Sequence, residues 1–162
     1  MAILLDHVIV PSRSPVASAQ VLAEILGVAW EAKDGHFTPV YVNETLTLDF
    51  GEAERFESHH YCFHVSDEEF DGIFERVRSA GIKYRSTPNG ADDLHLNTRM
   101  GGRNFYWNDD DGHVWEVLTV SYARRGAWGV FSENERMADQ SPRAPGLPPG
   151  WPLRARSGDR TP

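Results

Sequence analysis

Apolar and polar residues alternate from Leu4 to Val10, with Leu5, His7 and Ile9 on one side, and this period of two predicts a strand. Ser14-Pro15 then opens a helix, Ser at the cap and Pro at the first helical position. Val21, Leu22, Ile25 and Leu26 form its apolar stripe, and Gly27 ends it. His36 to Val42 and Thr45 to Phe50 read as two strands joined by a tight turn at Asn43-Glu44. An acidic connection, Gly51 to Ser58, leads to another strand, His59 to Val65. Ser66-Asp67-Glu68-Glu69 is a capping box, followed by Phe70, Ile73, Phe74 and Val77 at helical spacing and a stop at Gly81. Ile82 to Arg85 predicts a short strand and Pro88 to Asp93 a loop. Phe105 to Asn108 and Val114 to Val120 are the last strands, around the turn Asp109 to His113.

The series contains a repeat. His7 and His60 each begin a strand, turn and helix that ends in glycine, 20 and 21 residues later. Tyr41-Val42-Asn43 matches Tyr106-Trp107-Asn108. A second turn longer by two residues then sets Asp49 opposite Glu116. The order β-α-β-β-β occurs twice, which predicts an α+β fold of two modules related by a pseudo-twofold axis.

That symmetry gives meaning to three polar residues inside strands. Two imidazoles and a carboxylate, His7, His60 and Glu116, are a ligand set for a divalent metal with positions left open for substrate. The fold is expected to bring them within a few ångströms of one another. A buried Glu between Trp115 and Val117 is costly without a partner, and a metal is a direct one. His60 competes with His59 and His64; alternation puts His60, Cys62 and His64 on one face and Tyr61, Phe63 and Val65 on the core face. His64 is then a pocket wall or a surface residue. Asp49 reads as a fourth ligand, a general base or an edge-strand carboxylate. Arg103, Asn104 and Tyr106 follow Gly101-Gly102 and are expected to line the substrate side; otherwise Arg103 pairs with the acidic surface and Tyr106 is core. Trp107 is an aromatic candidate for stacking a ligand. His113 reads as a turn residue directed away from Glu116.

Bulk properties narrow the field. The 162 residues suffice for one domain with a proper core. Net charge is −8: residues 1–123 carry 9 Lys/Arg against 20 Asp/Glu, whereas 124–162 carry 7 Arg against 4. An acidic body lacks the basic footprint that nucleic acid requires. No apolar run approaches a bilayer span, and the N-terminus carries no signal-peptide pattern. The single Cys62 excludes an intrachain disulfide and fits a cytoplasmic setting. The Pro- and Arg-rich stretch 124–162 reads as a flexible or surface-wrapping extension, with Trp128, Phe131 and Trp151 as candidate anchors to the body.

The segments LDHVIV, HHYCFHVSDEEFD, SAGIKY and NDDDGHVWEVL resemble the vicinal oxygen chelate superfamily, which includes glyoxalase I, bleomycin-resistance proteins, fosfomycin-resistance enzymes and extradiol dioxygenases. The resemblance covers about residues 3–122. Asp110 stands where the family's turn usually has Pro. It implies two βαβββ modules (1–57 and 58–123) curled into an open barrel around a metal pocket, with 124–162 outside that domain. It also implies His7, His60 and Glu116 as ligands, a homodimer in many members, and modules exchanged between chains in some. The expected activity is that of a divalent-metal enzyme, a lyase, isomerase or dioxygenase, acting on a small substrate chelated through oxygen. Fe, Mn, Ni and Zn all suit these ligands. The rival is a bleomycin-resistance type of protein that sequesters a drug without metal or turnover. A fosfomycin-type thiol transferase fits less well, because the body has few cations for a phosphonate.

Overall fold

The computed structural model describes residues 3–32, 35–99 and 101–123; the expected extension 124–162, with its proposed anchors, lies outside the described residues. The elements are β1 (His7–Ser12), α1 (Pro15–Leu26), β2 (Ala29–Trp30), β3 (Phe37–Asn43), β4 (Leu46–Glu52), β5 (His60–His64), α2 (Asp67–Ser79), β6 (Tyr84–Arg85), β7 (Asn104–Asn108) and β8 (Val114–Leu118). The first module forms a sheet in the order β1-β4-β3-β2 and the second a sheet in the order β5-β8-β7-β6. Each is a mixed βαβββ unit, and together they give the α+β architecture expected from the repeat.

Local chemistry explains the boundaries. Pro15 opens α1, but Ser14 does not cap it with its side chain; its amide donates to Ser12 Oγ at 3.0 Å. Gly27 adopts φ 75°, a conformation costly for residues with a Cβ, and its amide closes the helix on the Ala23 carbonyl. The capping box of α2 forms in full: the Glu69 amide donates to Ser66 Oγ and the Ser66 amide donates to the Glu69 carboxylate. β1 begins and ends later than its alternation predicts, because parallel β4 offers partners from Thr47 to Glu52. The two-residue β2 has no local signal in the sequence; only the repeated β-α-β-β-β order calls for it.

One face of each sheet is covered by helices. Val10, Leu22, Ile25, Val40, Leu48 and Phe50 are buried in the first module, and Phe70, Ile73, Val77, Phe105, Trp107, Trp115 and Val117 in the second. Each such side chain contributes roughly 1.5–3 kcal/mol on burial. The modules meet on these helix-bearing sides. Phe50 stacks on Trp115 with ring centroids 6.4 Å apart, and the Arg76 guanidinium donates to the carbonyls of Ile25 and Leu26 at the end of α1. The turn before β8 adds three ties: Asp111 accepts from Arg13 and Ser18, and the buried His113 bonds the Pro11 carbonyl. The opposite sheet faces are left to carry polar residues. Among the described residues no helix is long and apolar enough to cross a membrane.

Candidate metal centre

Register shows how the repeat places its polar residues. Ile9 pairs with Asp49 across β1 and β4, and Cys62 pairs with Glu116 across β5 and β8. His7 and His60 each lie two residues before those partners. Asp49 and Glu116 are therefore equivalent. The equivalence of Tyr41 with Tyr106 is corrected: Tyr106 pairs with Glu116, but it is Pro39 that pairs with Asp49. A bulge between Tyr41 and Asn43 and the tighter β3–β4 turn shift the first module by two residues.

In the second module the Glu116 carboxylate is fully buried. Its Oε2 lies 3.1 Å from His60 Nε2, and its Oε1 accepts from Asn104 Nδ2 at 2.9 Å. The Tyr122 hydroxyl donates to both oxygens, at 3.0 and 2.8 Å. Asn104 also reaches the Tyr106 hydroxyl at 2.8 Å, and the Tyr106 ring stands edge-on to His60 with centroids 6.0 Å apart. Burial, then the nearby Glu116, raise the Tyr106 hydroxyl and the Cys62 thiol far above their usual ranges. Burial and the bond to Glu116 push Tyr122 up to about 12. All three keep their protons at neutral pH, and the Tyr122 hydroxyl donates its own to the carboxylate.

In the first module His7 is exposed, and its Nδ1 lies 2.9 Å from Asp6 Oδ2. That bond, with the fields of Asp6 and Asp49 added, raises its pKa despite some desolvation. His7 and Asp49 share a groove of about 420 Å³ with Asp6, His36, Phe37 and Tyr41.

The expected triad does not assemble within one chain. Among the described residues no three His, Cys, Asp or Glu side chains stand together as a metal site. The physical reason is the packing: the modules join through their helix-bearing sides, so His7 and the His60–Glu116 pair lie on two separate sheets. What one chain offers is two half-sites, His7 with Asp49 and His60 with Glu116. The second half fits a metal by its donor chemistry. Two ligands bonded at about 2.1 Å and at right angles lie about 3 Å apart, and His60 Nε2 and Glu116 Oε2 are 3.1 Å apart. No Lys or Arg side chain bonds this carboxylate among the described residues.

Other expected site residues divide by strand parity. Tyr106 and His64 lie on the Glu116 face; His64 Nε2 sits 3.2 Å from the Thr119 carbonyl. Trp107 does not: it is buried on the helix side, one position out of phase with Tyr106. Arg103 shares that phase. Its guanidinium bonds Asp67 and Asp71 of α2 and stacks over Phe70. The pairing of Arg103 with surface acids is thus what the structure shows, and neither it nor Trp107 lines the Glu116 face. His113 is no simple turn residue either. Its Nδ1 accepts the His59 amide at 2.9 Å and its Nε2 reaches the Pro11 carbonyl at 2.8 Å. Tyr122 escaped sequence reasoning because it lies past the end of β8, where alternation gives no phase.

Two solved structures match the described fold over nearly their whole length. Oxidase ChaP-H2 is 37% identical, with a TM-score of 0.71 over 76% of this chain and 98% of its own. Oxidase ChaP-H1 is 40% identical, with a TM-score of 0.70 over 76% and 100%. The chain belongs to the vicinal oxygen chelate superfamily. The fosfomycin-resistance protein FosX from Mesorhizobium loti shares the superfamily fold at 21% identity and a TM-score of 0.57, over 75% of this chain and 96% of its own. No family model and no curated protein matches the sequence.

Proposed function

We propose that this vicinal oxygen chelate protein is a divalent-metal enzyme, an oxidase or dioxygenase, whose site is completed between two copies of the chain. The observation that carries this is the exposed His60 imidazole 3.1 Å from the buried Glu116 carboxylate, with His7 held on a separate sheet. One copy supplies His60 and Glu116, the other His7, and a twofold dimer gives two complete sites. Uncovered apolar side chains on the His7 half support a partner there: Ile9 is 52% and Phe37 40% exposed, beside exposed Leu4 and Leu5. The similarity to two proteins named oxidases favours oxidation over isomerisation.

The metal would polarise substrate oxygens and, as Fe(II) with two imidazoles and one carboxylate, support oxygen chemistry. The residues do the rest. Asn104 and Tyr122 fix the carboxylate. Tyr106, protonated and on the same face, is placed to donate a hydrogen bond to a substrate oxygen. Asp49 enters from the His7 half as a general base. The domain is 1–123, and the substrate is a small oxygen-bearing molecule in a cytoplasmic setting.

Metal analysis and oxygen uptake test the reading. Near-stoichiometric metal in the purified protein, lost in His60→Ala and Glu116→Ala, together with substrate-dependent oxygen consumption, is the expected result. A protein that takes up no divalent ion but binds cationic aromatic drugs tightly would be a sequestering protein of the bleomycin-resistance type instead.

A further inference from the structure

We infer that Tyr122 and Asn104 are positioning residues that clamp Glu116 and present it to the metal through a single oxygen, Oε2. The inference rests on the reading of His60 and Glu116 as metal ligands. It concerns two side chains outside that ligand set, one of them beyond the last strand.

The geometry is specific. The Tyr122 hydroxyl lies 3.0 Å from Oε1 and 2.8 Å from Oε2 of Glu116. A donor nearly equidistant from both oxygens occupies the bisecting side of a carboxylate, which is the side a chelated cation would need. Asn104 Nδ2, at 2.9 Å, takes a further lone pair of Oε1. Oε1 is then committed to two protein donors. Oε2 has one, and its remaining acceptor direction points to His60 Nε2 at 3.1 Å. A carboxylate has about four acceptor positions, so the free one lies on the His60 side.

The clamp is rigid for reasons also visible in the fold. Asn104 is buried, lies in β7 opposite Leu118, and shares its amide with the Tyr106 hydroxyl. Tyr122 is only partly buried, but its hydroxyl is held against both oxygens of the fully buried Glu116 carboxylate. Partners of this kind orient metal ligands, and their loss typically costs 10–100-fold in metal affinity. Denying the chelating side to the ion also leaves one more coordination position for substrate or oxygen.

The test is Co²⁺ binding to the full-length protein, followed by titration and by the visible absorption of the bound ion. Tyr122→Phe and Asn104→Leu should each weaken Co²⁺ binding about 10–100-fold and change the cobalt spectrum, because the carboxylate is freed to rotate or chelate. Tyr61→Phe, on the opposite face of β5, should do neither. Tyr122→Phe removes one hydroxyl from a partly exposed ring, so it remains informative even if Asn104→Leu fails to fold. Wild-type affinity and an unchanged spectrum in Tyr122→Phe would overturn the clamp while leaving the metal site standing. A wild type that takes up no Co²⁺ would overturn both.

Discussion

Asp49 and Glu116 hold the same register position in the two modules, Asp49 opposite Ile9 and Glu116 opposite Cys62, yet their surroundings differ. Glu116 is sealed under Asn104 and Tyr122, whereas Asp49 opens onto a groove. Equivalent backbone positions have thus been given different side-chain environments, and different roles follow. Glu116→Gln should reduce metal affinity more than 100-fold (about 3 kcal/mol). Asp49→Asn should leave it within about tenfold while slowing turnover roughly 10²–10⁴-fold, as for loss of a general base. Isothermal titration and steady-state kinetics on both variants separate the two. Equal losses of metal in both would make Asp49 a fourth ligand.

Split half-sites make a subunit-mixing experiment decisive. His7→Ala and His60→Ala are each expected to be inactive. When the two are unfolded and refolded together in equal amounts, half of the dimers contain one chain of each kind. Each such dimer holds one intact site, so about a quarter of wild-type activity should return. If the sites lay within single chains, mixing would restore nothing.

His113 predicts a stability effect with no direct part in ligation. Both ring nitrogens are engaged, one by the His59 amide and one by the Pro11 carbonyl, in a fully buried position. His113→Ala strands both backbone groups and opens a cavity, at a cost of about 2–4 kcal/mol. Thermal or urea unfolding measures it. A change below about 0.5 kcal/mol would mean that water replaces both bonds without penalty.

The capping box of α2 gives a pH signature. The Ser66 amide and hydroxyl hold the Glu69 carboxyl below its ordinary range. A depressed folded-state pKa contributes stability above the unfolded value, about 4.3, and that contribution fades as pH falls through the folded value. Ser66→Ala should therefore cost about 1 kcal/mol near pH 7. The gap between variant and wild type should narrow below about pH 4. Glu69 is exposed, so screening keeps the electrostatic share small. Unfolding curves at pH 7 and pH 3.5 check the trend; a gap that widens in acid would contradict it.

Much of this fold was legible because its signals are local. The alternation around His60 sorted the β5 side chains between faces as the structure does, and the Ser66–Glu69 box named the start of α2 to the residue. The repeat matched Asp49 with Glu116, as the register does, although the Tyr41–Tyr106 match it was drawn from is two residues out. What failed was non-local. Trp107 and Tyr106 are neighbours in sequence but face opposite ways, and the sequence offered no anchor for their phase until β8 was laid beside β7. Arg103 looked available until α2 brought Asp67 and Asp71 to it. The division of His7 from His60 and Glu116 between two sheets depends on how whole modules pack. Alternation, caps and spacing carry no information about that.

The Asp109–His113 turn has a consequence for how this protein can vary over evolutionary time. Hairpin turns are ordinarily where insertions and deletions are absorbed. The β3–β4 turn fits that expectation, with the Asn43 side chain bonding the nearby Thr45. In the later turn Asp109 accepts from the Trp115 indole, Asp111 holds Arg13 and Ser18, and His113 reaches Pro11. A single inserted residue would pull at least one of these out of reach. Sequence drift in length is thus permitted at one hairpin and forbidden at its twin, so the two halves of a duplicated gene product have lost the freedom to diverge equally.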